Sequence, residues 1–183
     1  MARRDLYGGA LSMAAELTLD WLDASDVRPV PDHQEVWTEP AGRADRALLI
    51  ELNEALPSEL TVAVREHFDE LYRVDGCASA SVLSVEQLQP AQLSLSESER
   101  QLGHHPAVAL AGTHSRADGT CVLVSLVLVR LQAQSTDLLI VIYRPIPEAR
   151  LPPSSTDIVA DAALAASVRN TLLVQDWGLF QTA

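Results

Sequence analysis

From Cys121 to Val129 the chain reads CVLVSLVLV, an alternating pattern with Leu123, Val127 and Val129 on one side and Val122, Val124, Leu126 and Leu128 on the other. A strand that is apolar on both faces has both faces covered, so the segment predicts a central strand over about 120–132 with helices on each side of its sheet. RADG (116–119) and AQST (133–136) are short polar connections that suit hairpins, which predicts antiparallel neighbours at about 107–115 and 137–144. RALLIELNE places Leu48, Ile50 and Leu52 on one face and Leu49, Glu51 and Asn53 on the other, a strand at about 47–53 whose second face turns polar toward its end.

Helical periodicity occurs twice. Leu60, Val64, Phe68 and Leu71 form an apolar stripe between acidic positions, predicting an amphipathic helix over about 57–73 with Pro57 in its first turn and Gly76 as its stop. A second amphipathic helix is expected over about 156–174, after the break at RLPPSS, with Ser154 and Ser155 as capping residues. A short strand pair or a single glycine-containing strand is expected within 6–18, turn or cap residues at Asp23, Ser25 and Asp26, and strands at about 34–38 and in SASVLSVEQL. Residues 90–106 read as a loop holding a short helix. The order lacks regular strand–helix alternation and contains no linker. The expectation is therefore an α+β fold in a single domain, residues 1–183, built on one mainly antiparallel β-sheet of about six strands flanked by helices on both faces.

Charge narrows the partners. The net charge is −12, which disfavours nucleic acid and anionic membranes and favours basic partners. The central apolar run is far shorter than the ~20 residues of a membrane helix. The N-terminal stretch MARRDLYGGALSMAA is expected to be mature protein, because Gly8, Gly9 and Glu16 break any signal-like apolar run. All 13 basic side chains are arginines, and the only cysteines, Cys77 and Cys121, are expected as reduced thiols of a cytosolic or nuclear protein.

Catalytic and metal signatures are sparse. His104 and His105 are adjacent, His114 lies apart, and no Cys or His pair sits at ligand spacing, so neither metal nor cofactor is expected. No nucleophile elbow, Walker loop or dinucleotide fingerprint occurs. His67 flanks the apolar stripe of its helix, which suits surface, packing or partner contact better than general-base chemistry. What stands out is a set of acids, Asp32, Glu35, Glu51 and Glu54, beside the proline-stiffened segment DVRPVPDHQEVW.

That segment carries a resemblance. LYGGA (Leu6–Ala10), then Arg28, Val30, Pro31, Asp32, Gln34, Glu35, Val36 and Trp37, then Glu51 and Glu54 in LLIELNE, is similar to the pattern of the Mog-type family of Ran guanine nucleotide release factors. The likeness continues through HFDEL, through Arg130-Leu131 and Thr136-Asp137, and through Asp176, Leu179 and Phe180, while residues 75–120 match poorly.

The resemblance implies the family fold shared with PsbP-like proteins, a central antiparallel sheet between helices. It implies a nuclear and cytoplasmic protein that binds the small GTPase Ran and promotes release of its nucleotide in support of nuclear transport, without being an enzyme. It puts Glu51, Glu54, Asp32, Glu35, Gln34 and Arg28 at the Ran contact, in a monomer.

Each acid also has a structural alternative. Asp32 suits a turn cap, Glu35 an ion pair with Arg28 or Arg46, and Arg28 a buried ion pair. Residues three apart on a strand face opposite ways, so joint exposure of Glu51 and Glu54 requires the strand to end or bulge near Asn53. The alternative function is a PsbP-like scaffold with no GTPase partner.

Overall fold

The computed structural model describes residues 2–18, 20–90 and 101–180. Twelve regular elements follow in order: β1 (Arg3–Leu6), β2 (Leu11–Ala14), β3 (Leu22–Asp23), β4 (Gln34–Thr38), β5 (Ala47–Glu54), α1 (Leu60–Val74), β6 (Ser79–Leu88), β7 (Ala107–Ser115), β8 (Cys121–Leu131), β9 (Thr136–Ile146), α2 (Ser155–Thr171) and β10 (Leu173–Val174). The main sheet has seven strands in the order β3-β4-β5-β9-β8-β7-β6, with antiparallel pairing throughout.

The expected two-sided cover of β8 is present. Val124, Leu126 and Leu128 pack with Leu139 and Val141 of β9 and with Val64, Phe68 and Leu71 of α1. Val127, Val129 and Leu131 pack on the other face with Ile140, Ile142 and Ala165 and Val168 of α2. A small antiparallel sheet, β1-β2-β10, completes the second layer. The result is an α/β/α sandwich, apolar on both inner surfaces because side chains alternate along each strand.

Several boundaries depart from expectation. The main sheet has seven strands rather than about six, because Leu22–Asp23 pairs with Trp37 and Thr38; Asp23 still caps the 3-10 turn that follows, as expected, accepting from the Ser25 amide. The first helix begins at Leu60, beyond Pro57. The last helix ends at Thr171, where Leu173 and Val174 are recruited to the free edge of β2. Two residues on the inner face of α2 are charged, Asp161 and Arg169. Of the loop expected over 90–106, residues 91–100 lie outside the described residues, and Leu102–His104 forms one 3-10 turn.

Close packing of α1 on the sheet sets a strict size limit at Gly112 of β7. A Cβ there would lie 2.6 Å from the Phe68 ring and 2.7 Å from the Ser81 carbonyl oxygen. Gly112→Ala is therefore expected to lower stability by about 1–3 kcal/mol through overpacking. Urea unfolding checks this, and an unchanged midpoint would show that the helix yields freely.

Candidate functional site

The site begins at the N-terminal hairpin. The Tyr7 amide donates to the Glu35 carboxylate at 2.5 Å, and its hydroxyl donates to the Ile50 carbonyl at 2.8 Å, with the His33 carbonyl at 3.1 Å. The LYGG and PDHQEV segments therefore interlock. Burial, then the nearby Glu35 and Glu51 charges, push the Tyr7 phenol up, so it remains a neutral donor. Burial likewise raises the Glu35 carboxyl; the Tyr7 amide bond opposes that rise and Asp23 adds to it.

Strand register then separates the acids. Gln34 pairs with Glu51, and Glu35 pairs with Ile50. Adjacent residues on a strand face opposite ways, so Gln34 and Glu51 project toward the α1 side while Glu35 projects toward the N-terminal hairpin. The expected single acidic surface of Asp32, Glu35, Glu51 and Glu54 is thus not formed: Glu35 is turned inward. It pairs with neither Arg28 nor Arg46.

Beside α1 runs a groove of about 660 Å³. It lies between α1, which packs mainly over β6, β7 and β8, and the Gln34 and Glu51–Glu54 ends of β4 and β5. Its walls include His33 and Gln34 from the β4 side, Glu51, Asn53 and Glu54 from β5, and Glu66, His67, Glu70 and Arg73 from α1. Four carboxylates thus face one guanidinium.

Glu51 is buried to 8% exposure. Its Oε1 accepts from Gln34 Nε2 at 3.0 Å and lies 3.5 Å from His33 Nε2. Glu66 accepts from Ser58 Oγ at 2.8 Å, and Glu70 pairs with Arg73 at 2.9 Å. Glu54 is exposed and has no hydrogen-bond or ion-pair partner among the described residues. No bulge occurs in β5: its pairing with β9 stays regular through Glu54 and Thr136. Alternation therefore opposes Glu51 and Glu54, yet Glu54 ends the strand and borders this groove as well as a second one lined by Trp177, Leu179 and Phe180.

Asp32 is exposed in the loop at the groove's mouth, next to the lining Pro31, and caps no turn among the described residues. Arg28 is exposed outside the groove, with no ion pair among the described residues.

Sequence reasoning missed what supports the groove. Asp137, fully buried, accepts two bonds from Arg130, Nε to Oδ1 and a terminal nitrogen to Oδ2, both 2.8 Å. His67 Nε2 lies 3.0 Å from Asp137 Oδ2, and the Leu56 amide donates to it at 3.1 Å. Arg130 also donates to the Ser58 carbonyl at 2.7 Å. Burial alone would raise the Asp137 pKa, but the bonds from Arg130, His67 and Leu56 prevail and hold it at about 2. His67 thus joins α1 to β8 and β9 at the groove floor. A second buried pair, Arg144 bidentate to Asp161, ties α2 to β9, and Arg46 bridges Asp161 to Glu39. Planar guanidinium forks suit such bidentate pairing.

A mainly antiparallel sheet with α1 on one face, α2 and a small sheet on the other, and an acidic groove beside α1 defines the class: a Mog-type, PsbP-like sandwich. The Saccharomyces cerevisiae Ran-binding protein Mog1p shares the fold with a TM-score of 0.75 over 98% of both chains, at 21% identity. Cyanobacterial PsbP (CyanoP) from Synechocystis reaches 0.54 at 13% identity, over 94% of this chain and 91% of its own.

Sequence relatives are nearer. The Ran guanine nucleotide release factor of Homo sapiens is 33% identical over 147 residues, 79% of this chain and 76% of that protein. That of Bos taurus is 35% identical over 151 residues, with the same coverage. The family model described as Ran-interacting Mog1 protein matches residues 4–145. The chain belongs to the Ran-interacting Mog1 family.

Proposed function

We propose that this protein binds the small GTPase Ran as a monomeric single domain and promotes release of its guanine nucleotide. It would support nucleocytoplasmic transport from both nucleus and cytoplasm, acting by binding rather than by covalent chemistry and without nucleic acid. The observation that carries this proposal is the acidic groove beside α1, where Gln34 orients Glu51 and Glu54 stands free, in a chain of the Ran-interacting Mog1 family.

A GTPase nucleotide site is rich in cations, including a P-loop lysine and Mg²⁺. A carboxylate presented from this groove competes with phosphate oxygens for them. By linkage, a protein that prefers nucleotide-free Ran weakens nucleotide affinity by the same factor. Pro29 and Pro31 restrict the loop that carries Asp32, so less entropy is lost on docking. Gln34 contributes by fixing the Glu51 rotamer, and Arg28 and Asp32 by contacts at the outer rim. Glu35 contributes indirectly, by holding the hairpin that fixes β4.

The direct test is immobilised protein in cell extract. Ran should be retained, and more strongly when EDTA strips its Mg²⁺; recovery of no Ran under either condition would overturn the proposal. A net charge of −12 also implies electrostatic steering. Raising salt from about 50 to about 500 mM should slow association far more than it speeds dissociation. An association rate flat across that range would remove the acidic groove from the encounter.

A further inference from the structure

At the C-terminal end of α1, just beyond the groove-lining Arg73 and Val74, three potential ligands converge. Asp75 caps the helix, Gly76 turns the chain at φ +63°, and Cys77 follows. His114 of β7 faces both. A carboxylate oxygen of Asp75, Sγ of Cys77 and a ring nitrogen of His114 lie within 4.8 Å of one another. His114 Nδ1 is 4.0 Å from Asp75 Oδ2.

The state of His114 is the second observation. It is 1% exposed, and neither ring nitrogen has a hydrogen bond of normal geometry. The Phe68 backbone makes a polar contact with the ring that falls outside that geometry. Its ring is held against Phe68 at 4.4 Å and edge-on to Tyr72 at 5.9 Å. Buried polar groups of folded proteins are almost always satisfied, so an imidazole whose nitrogens make no hydrogen bond of normal geometry, aimed at a carboxylate and a thiol, marks a place for a ligand.

We propose that Asp75, Cys77 and His114 form a three-ligand site for a divalent metal ion of the zinc class, with a fourth position open to solvent. Oxygen, sulfur and nitrogen donors together suit this borderline-soft ion. A tetrahedral site with bonds of about 2.0–2.3 Å separates its donors by roughly 3.3–3.8 Å. Asp75 and Cys77 both retain exposed surface and can close that gap.

On binding, the Cys77 thiol gives its proton to solvent as the sulfur–metal bond forms. Burial, then the Asp75 charge, push this thiol up in the free protein, and the nearby Arg116 opposes that rise. Arg116 touches the thiol and is exposed, so it can withdraw as the ion enters. The bound ion would fasten the last turn of α1 to β7.

The test uses the full chain with cobalt(II) as the spectroscopic probe and zinc(II) as its competitor. One cobalt per chain should bind with a thiolate-to-cobalt charge-transfer band, zinc should abolish the band, and zinc should raise the melting temperature by mass action. Cys77→Ser, at a half-exposed position, should lose the band while keeping its metal-free melting temperature. Asp75→Asn should weaken binding at least about tenfold, and His104→Ala should change nothing. Absence of the band at stoichiometric cobalt would overturn the proposal. So would its persistence in Cys77→Ser or its loss in Cys121→Ser.

Discussion

Reversing the two β5 acids, Glu51→Lys with Glu54→Lys, is expected to abolish nucleotide release from Ran while the protein remains folded. Glu54 is exposed and unengaged, so its reversal disturbs no internal partner. Glu51 is held by Gln34 at 3.0 Å beside His33, so its reversal places a cation at the groove wall and also releases Gln34. Losing one partner of a charge pair buried in a complex costs about 2–5 kcal/mol, roughly 30-fold or more in coupling. Separating the two variants tests the geometry: Glu54→Lys alone should act with no change in melting temperature, while Glu51→Gln, which keeps an oxygen for Gln34, isolates the charge from the fold. Glu86→Lys on the distant edge strand β6 should leave release unchanged. Release of a fluorescent nucleotide beside a thermal melt gives both readouts. Normal release by a folded double variant would remove these acids from the contact.

Replacing Asp137 with alanine should cost about 3–5 kcal/mol of stability. The substitution leaves Arg130 without its carboxylate, and deprives His67 and the Leu56 amide of their acceptor, all in or beside the core. Removing the ionic group as a set, with Arg130→Met, His67→Leu and Asp137→Leu, should recover much of that loss, since the residual penalty lies in unpaired charges rather than in the absence of the pair.

Acid titration tests the same network. The folded pKa of Asp137 is about 2, below the ordinary 3.8. A depressed carboxyl contributes stability that is fully present above the ordinary pKa and disappears as pH falls through the folded one. About 2 kcal/mol should therefore be lost between about pH 4 and pH 2. Asp137→Asn should remove this part of the acid dependence, and a wild-type curve identical to that of the variant would refute the assignment.

The central strand was legible because two-sided apolarity over 122–129 leaves one solution, cover on both faces, and the structure supplies it with α1 and α2. The hairpins either side of β8 were legible from short polar connections. The resemblance to the Mog-type family rested on LYGG and PDHQEV, and these two segments touch through Tyr7 and Glu35. Interlocking of that kind constrains side chains at fixed positions, which is what a motif records.

Local pattern alone determined the chemistry of each position: which residues are apolar, which carry charge and where the chain turns. Tertiary structure decided which of those charges meet. Register turned Glu35 inward and Glu51 toward the groove, because a strand alternates its side chains and pairing alone fixes the phase. His67 and Asp137 lie 70 positions apart, and Asp75 and His114 belong to different elements, so no spacing rule links them. The end of α2 at Thr171 was likewise set from outside the helix, by a free edge of β2 that Leu173 and Val174 could pair. Sequence periodicity reports what one element prefers, whereas burial of a charge, closure of a groove and the end of a helix depend on the neighbour that supplies the missing partner.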